Sequence, residues 1–202
     1  KVGDDYMLGV GEAAFYGPKI DFMAKDAIGR EHQVATIQLD FNQPEGFDLT
    51  CKNEAGEDER IVMLHCAIMG SHERFLSVYI EHTAGRFPIW CSPEQLRIIT
   101  VNQEESTLNF AQKLLEQASA AGIRAWVDDS NESVGKKIRS SEGWKVPYTV
   151  VVGEKEVVEA KLSPRIRADL AVEDRSENAY DVDHFINSLS NEVRGRVTKS
   201  SL

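Results

Sequence analysis

Residues 61–87 constrain this chain more than any other stretch, and within them the run HCAIMGSHERF at residues 65–75. From residue 64 to residue 85, Leu64, Ile68, Phe75, Leu76 and Tyr79 recur at intervals of three, four and seven, the period of one buried helix face. The spacing predicts a helix over 64–85, stopped by Gly85 and Pro88 and preceded by a short strand at 61–63. Gly70-Ser71 then falls in mid-helix, where glycine costs about 1 kcal/mol against alanine and is kept for close approach by a neighbour or ligand. Arg74 lies one turn further on, reachable from the same side. Read without more context, this is a core helix with a packing glycine and a solvated arginine.

Ahead of it, residues 18–26 alternate, with Ile20, Phe22 and Ala24 on one face and Lys19, Asp21 and Met23 on the other. Residues 27–30 turn, and residues 32–41 alternate again, Ala35, Ile37, Leu39 and Phe41 opposing Val34, Thr36, Gln38 and Asp40. An antiparallel hairpin over 18–41 with one polar face follows. Residues 1–17 read as a glycine-bearing loop, and the acidic, turn-rich 42–60 as a connection.

Phe87 to Pro93, with two prolines, marks a boundary, dividing the chain into domains 1–87 and 88–202. Beyond it come a buried strand at 96–101, an amphipathic helix at 107–121 ended by Gly122, and a strand at 123–127. A basic helix at 133–144, a strand at 147–152, a fourth strand at 156–161 and a helix at 182–193 complete the pattern. Strands alternating with helices predict an α/β domain with a mostly parallel five-stranded sheet, the fourth strand antiparallel at an edge, and residues 195–202 as a frayed tail.

Lys and Arg number 23 against 33 Asp and Glu, a net charge of −10, so binding to nucleic acid needs a local patch rather than overall charge. Such patches exist: Lys136, Lys137, Arg139 and Lys145 cluster, as do Lys161, Arg165 and Arg167. Both runs suit the carboxyl edge of an open sheet, where α/β folds bind ligands. Cys51, Cys66 and Cys91 are few and odd in number, which fits a reducing, cytoplasmic setting without a disulfide framework. No apolar run is long enough to span a membrane, and Lys1 opens the chain without an initiator methionine, as if inside a longer one.

Three runs, AFYGPKIDF, HQVATIQLDF and VMLHCAIMGSHERF, together resemble the second half of the catalytic domain of threonyl-tRNA synthetases, class II aminoacyl-tRNA synthetases. The last contains a turn of small residues followed by an acid and an arginine, similar to the third signature motif of that class. The stretch AGIRAWVDDSNESVGKKIRSSEGWKVPYTVVVGEKEV resembles the anticodon-binding domain that threonyl, prolyl, histidyl and glycyl synthetases share. The fold this implies is part of the class II antiparallel sheet with its motif 3 helix, followed by the α/β anticodon-binding domain.

The resemblance implies ATP- and magnesium-dependent activation of threonine and its transfer to tRNA(Thr), by a homodimer when the enzyme is whole. Tyr16, Lys19, Gln33 and Gln38 would line the site for threonyl adenylate and the acceptor end, while Arg74 and Ser71 would contact ATP. Gln33 and Gln38 are an odd number apart, so on an unbroken strand they face opposite ways; either a bulge intervenes or one alone, preferably Gln38, reaches substrate. His65 matches one of three zinc ligands, a cysteine and two histidines, of which the others belong upstream together with the first two signature motifs. This piece alone is therefore expected to be zinc-free and inactive. Cys66 departs from the family's usual arginine, and its side chain points away from that of His65.

In the second domain the resemblance places anticodon contacts at Asn131, Glu156 and Arg165 and phosphate contacts at Lys136, Lys137 and Arg139. Threonine anticodons share G and U at their second and third positions. A carboxylate accepts from guanine N1 and N2, an arginine donates to O6 and N7, and a side-chain amide suits uracil's mixed edge. The competing reading is an ion pair between Glu156 and Arg165 on neighbouring strands. For the whole chain the alternative is a non-enzymatic tRNA- or mRNA-binding module derived from a synthetase.

Overall fold

In the computed structural model residues 6–172 and 178–202 are described, and the chain divides into two compact units, 1–82 and 83–202. That division falls five residues ahead of the boundary expected from the prolines.

The first unit is built on the expected hairpin. β1 (Lys19–Lys25) pairs antiparallel with β2 (Glu31–Asp40). The turn between them is held by the Asp26 carboxylate, which accepts from the N–H groups of Ile28 and Arg30 and touches the Arg30 guanidinium and His32 ring. A short helix α1 (Asn42–Gly46) and a small hairpin of β3 (Thr50–Lys52) and β4 (Asp58–Arg60) lead to β5 (Met63–Ile68), which pairs with β2. The sheet order is β1-β2-β5.

β5 overturns the expectation of a single helix over 64–85. Only His72–Thr83 is helical (α2), and Gly70 sits in the turn before it. The physical reason lies in two consecutive left-handed residues, Met69 at φ 68° and Gly70 at φ 61°, which no helix tolerates. They let the chain leave β5 and start α2 with Ser71 as its cap, the Ser71 Oγ accepting from the Arg74 N–H at 3.2 Å. The close approach anticipated at Gly70 is real: a Cβ there would stand 3.1 Å from the Gln33 carbonyl oxygen of β2.

The second unit is a layered α/β structure. β6 (Leu96–Thr100) is buried at every position, as befits a central strand covered on both faces. It lies parallel to β7 (Ala125–Asp128) on one side and to β8 (Tyr148–Val152) on the other. α3 (Glu105–Ala120) turns Ala111, Leu114 and Ala118 into the core, and Gly122, at φ 81°, ends its turn. α4 (Val134–Gly143) is capped by Ser133.

The expected fourth strand at 156–161 is instead helix α5 (Glu154–Glu159), followed by β9 (Lys161–Leu162). Glu156 explains the difference: its Oε2 accepts from the Gly153 N–H at 2.9 Å, the reach of a residue in the third helical position back to its cap. The antiparallel edge strand is β10 (Arg165–Ile166), and among the described residues the sheet has four strands rather than five, in the order β10-β8-β6-β7. β11 (Tyr180–Asp181) pairs separately with β9 and leads into α6 (Val182–Gly195).

Nor is the end of the chain frayed. Leu202 belongs to the core, and the buried Tyr148 hydroxyl donates to Glu192 at 2.6 Å and meets Ser200 at 2.5 Å. Ser201 and Ser200 are tied in turn to Glu192 and to the Leu170 carbonyl.

Candidate functional sites: a polar sheet face and a sheet edge

The polar face of the first unit rests on one irregularity. Phe22 pairs with Ala35 but Met23 pairs with Gln33, so Val34 is an extra residue in β2, a bulge. The shift cancels the odd spacing between Gln33 and Gln38 and brings both onto the face that carries Lys19, Asp21 and Thr36. Gln38 pairs with Lys19 on one side and His65 on the other, so three site residues share one cross-strand row.

Hydrogen bonds fix this row. The Tyr16 hydroxyl donates to Gln38 Oε1 at 3.0 Å, and its ring meets the His65 ring edge-on. Lys19 Nζ donates to Asp21 Oδ2 at 2.7 Å, while Asp21 Oδ1 accepts from Gln33 Nε2 at 2.8 Å and Thr36 Oγ1 at 2.6 Å. His65 Nε2 lies 2.7 Å from Asp40 Oδ2, and Asp40 Oδ1 accepts from the N–H groups of Asn42 and Gln43. The Lys19 ammonium and the Thr36 hydroxyl hold the Asp21 carboxyl below its ordinary range, and Lys19 is raised by Asp21. His65, with the two backbone donors, lowers Asp40 likewise.

Sequence reasoning singled out Tyr16, Lys19, Gln33, Gln38 and His65, and the fold gathers all five. It passed over Asp21, Thr36 and Asp40, which orient them, although the period-two pattern already set these on the polar face. Arg74 is exposed in the first turn of α2, and among the described residues none bonds its guanidinium. The Ser71 hydroxyl oxygen accepts one bond as the helix cap, which leaves its O–H free to donate to a phosphate oxygen.

For zinc, the described residues contain no group of three ligating side chains. Cys66 points to the opposite face of β5 from His65, since the two are neighbours on a strand and not, as expected, on a helix. What is present fits a single ligand: an imidazole oriented by a carboxylate on one ring nitrogen, the arrangement that leaves the other free for a metal.

The second site is the carboxyl edge of the parallel strands. Asn131 follows β7 in an exposed loop, shaped by Asp128 Oδ1 accepting from the Ser130 N–H and hydroxyl. Glu156 is in the first turn of α5, after β8, whereas Arg165 starts β10, exposed opposite Thr149 in the amino half of β8. Glu156 caps its own helix rather than pairing with Arg165. Lys136 is exposed beside Glu132, 2.6 Å away, and Arg139 is exposed as well.

Lys137 departs from the expected phosphate role. Its side chain is 2% exposed, and Nζ donates to the Thr100 carbonyl at 2.9 Å and the Asp128 carbonyl at 3.2 Å. In the second basic run Arg167 is spent on the Lys145 and Phe87 carbonyls and on Asp169. Arg167 N–H also donates to the Pro147 carbonyl just ahead of β8, so Lys145 and Arg167 lie at the amino end of that strand, and the two basic runs do not share the carboxyl edge as expected.

Comparison with known proteins agrees with both units. Residues 5–83 match the tRNA synthetase class II core domain (G, H, P, S and T), and residues 95–192 match the anticodon binding domain. The chain is 42% identical over 199 residues to the threonine–tRNA ligase of Clostridium tetani, covering 98% of this chain and 30% of that protein. Against the ligase of Thermotoga neapolitana it is 43% identical over 202 residues, again 30% of the relative. The chain thus spans about a third of the length of such relatives. Among solved structures, the RNA binding domain of threonyl-tRNA synthetase from Cryptosporidium parvum superposes with a TM-score of 0.77 at 35% identity, over 95% of this chain and 46% of that one. Two family domains in this order, with homology to threonine–tRNA ligases along the whole chain, mean that the chain belongs to the class II aminoacyl-tRNA synthetases, as part of a core domain joined to an anticodon-binding domain.

Proposed function

We propose that this chain serves a threonine–tRNA ligase, presenting part of the surface for threonyl adenylate and tRNA on its first unit and reading the anticodon of tRNA(Thr) with its second. The observation that supports this most is the Val34 bulge, which turns Gln33 and Gln38 to the same side as Tyr16, Lys19 and His65. In the activation step the threonine carboxylate attacks the α-phosphorus of magnesium-bound ATP, and pyrophosphate leaves. Arg74 holds the triphosphate through that transfer as a fixed planar cation. Gln38, held by Tyr16, and Lys19, held by Asp21, position the adenylate and the acceptor end. His65, oriented by Asp40, is read as one ligand of a zinc whose part is to bind threonine's amino and hydroxyl groups. The whole enzyme acts as a homodimer in this reading.

Grafting the chain in place of the 202 residues it matches in the Thermotoga neapolitana ligase tests the catalytic half. The graft should retain threonine-dependent ATP–pyrophosphate exchange, and Arg74→Ala in it should reduce exchange by roughly a hundredfold or more. Undiminished exchange after Arg74→Ala removes that residue from the transition state.

A further inference from the structure

Among the described residues of the second unit Lys137 is the best-buried cation, and it has no part in the function above. At 2% exposure its ammonium has three neutral acceptors, the Thr100 carbonyl, the Thr100 hydroxyl at 3.4 Å and the Asp128 carbonyl, and no carboxylate among the described residues pairs with it. Three N–H donors thus meet three oxygens. Such a burial is costly unless every donor is satisfied, and losing them would strand two strand-end carbonyls.

Its position gives the cost a purpose. Thr100 and Asp128 are the last residues of β6 and β7, neighbouring parallel strands. The chain leaves β6 for α3, which packs on β6 and β7, and leaves β7 for α4, which packs on β6 and β8. A right-handed crossover from β6 to β7 and another from β7 back across β6 to β8 send these helices to opposite faces of the sheet. The crevice between the ends of β6 and β7 is then the topological switch point, where open α/β sheets take their ligands. Lys137 reaches that crevice from α4 below and ties the two strand ends together. Directly above stand the loop 101–104 and the loop 129–133 that carries Asn131, joined by a Gln103 side-chain bond to the Asp129 carbonyl.

We propose that Lys137 is a positioning residue for RNA discrimination: it sets the spacing of the two loops at the switch point without touching phosphate itself. The proposal rests on the anticodon reading of the second unit. It distinguishes Lys137 from Lys136, one residue away and exposed, by what each should change. A phosphate contact contributes to every RNA alike and to the salt dependence, about one unit of slope per contact, whereas a positioning residue contributes to the difference between RNAs.

Fluorescence anisotropy of the 202-residue chain with two anticodon stem-loops, G or A at the middle base, across a salt series reads both quantities. In Lys137→Met the preference for G should fall about tenfold, toward equal binding, while the salt slope keeps its unsubstituted value. In Lys136→Ala the preference should persist and the slope drop by about one. A retained preference in Lys137→Met, or a slope lowered by one with the preference intact, overturns the proposal alone. Absence of any preference in the unsubstituted chain overturns the anticodon reading and the proposal with it. Should Lys137→Met not fold, acetylation of unsubstituted lysines decides: Lys137 should be unreactive both free and RNA-bound, while Lys136 becomes protected on binding. Reactivity of Lys137 in the free chain that RNA suppresses would make it a phosphate contact and refute the positioning role.

Discussion

In the proposed function, Glu156 meets two demands with one carboxylate. Oε2 accepts from the Gly153 N–H to cap α5, which leaves Oε1 to accept from a guanine edge. Glu156→Gln can keep the cap through its carbonyl oxygen but presents an amide N–H₂ to the guanine donors, whereas Glu156→Ala loses both functions. Urea unfolding should therefore show Glu156→Ala destabilised by about 1 kcal/mol and Glu156→Gln nearly unchanged. Both should lose roughly 1–3 kcal/mol of discrimination between G and A at the middle base, and equal weakening for both bases would take Glu156 out of the reading site. Asp40 offers a pH test. Its folded carboxyl is depressed by His65 and two backbone N–H groups, so the stabilisation is present above the unfolded value of about 3.9 and is lost as pH falls through the folded one. The stability difference between the unsubstituted chain and Asp40→Asn should shrink as pH is lowered below about 4; a difference that stays constant into acid contradicts the pairing. At this scale the pattern of the sequence was least informative for Lys137. A basic run reads as a solvated face, yet on α4 Lys137 shares the inward side with Ser141, one turn away, and only the packed sheet reveals what its ammonium meets.

Among the elements, β5, its turn and α2 show how one apolar pattern supports two periods. Leu64 and Ile68 are four apart, a spacing common to a helix face and a strand face, so the helical period extends without a break to Phe75 and Tyr79. What decided the outcome was tertiary: pairing of Met63–Ile68 with β2 and the backbone approach of Gly70 to the bulge. The hairpin, by contrast, was fully legible, because alternation over two long runs admits only one period. The bulge was legible only as a conflict between Gln33 and Gln38. Gly70 and Gly29 allow the close approach to be measured. Both have positive φ, 61° and 85°, but a Cβ at Gly29 meets open space while one at Gly70 meets the Gln33 carbonyl at 3.1 Å. Gly29→Ala should cost about 1 kcal/mol for conformation alone, and Gly70→Ala clearly more. Equal costs in urea unfolding would mean that the turn does not press on the bulge. The length of the α/β elements in the second unit was read well from periodicity, but α5 and the packed tail were not. A capping glutamate three residues after glycine was available as a cue for α5, whereas nothing local marks Ser200 and Leu202 for burial.

For the whole molecule, one face of the first unit's sheet is left uncovered. The sheet face opposite the polar row carries Ile20, Phe22, Leu64 and Ile68, 46%, 49%, 64% and 76% exposed, beside Cys66. Apolar area of this kind associates in water. Sedimentation should show mass rising with concentration, and Phe22→Ser with Ile68→Ser should suppress it; a monomer at high concentration contradicts that expectation. The charge balance of −10 opposes RNA binding, so the proposed anticodon reading depends on a few exposed cations such as Lys136 and Arg139. No helix among the described residues is long and apolar enough to cross a membrane. The proposed function depends most directly on recognition of the shared G and U of threonine anticodons by the second unit. Equilibrium titration of the 202-residue chain with one anticodon stem-loop ending in GU and one ending in GG measures it at fixed salt. Binding to GU should be tighter by about tenfold, the value of one well-read base; equal affinity for the two stem-loops would contradict anticodon reading by the second unit.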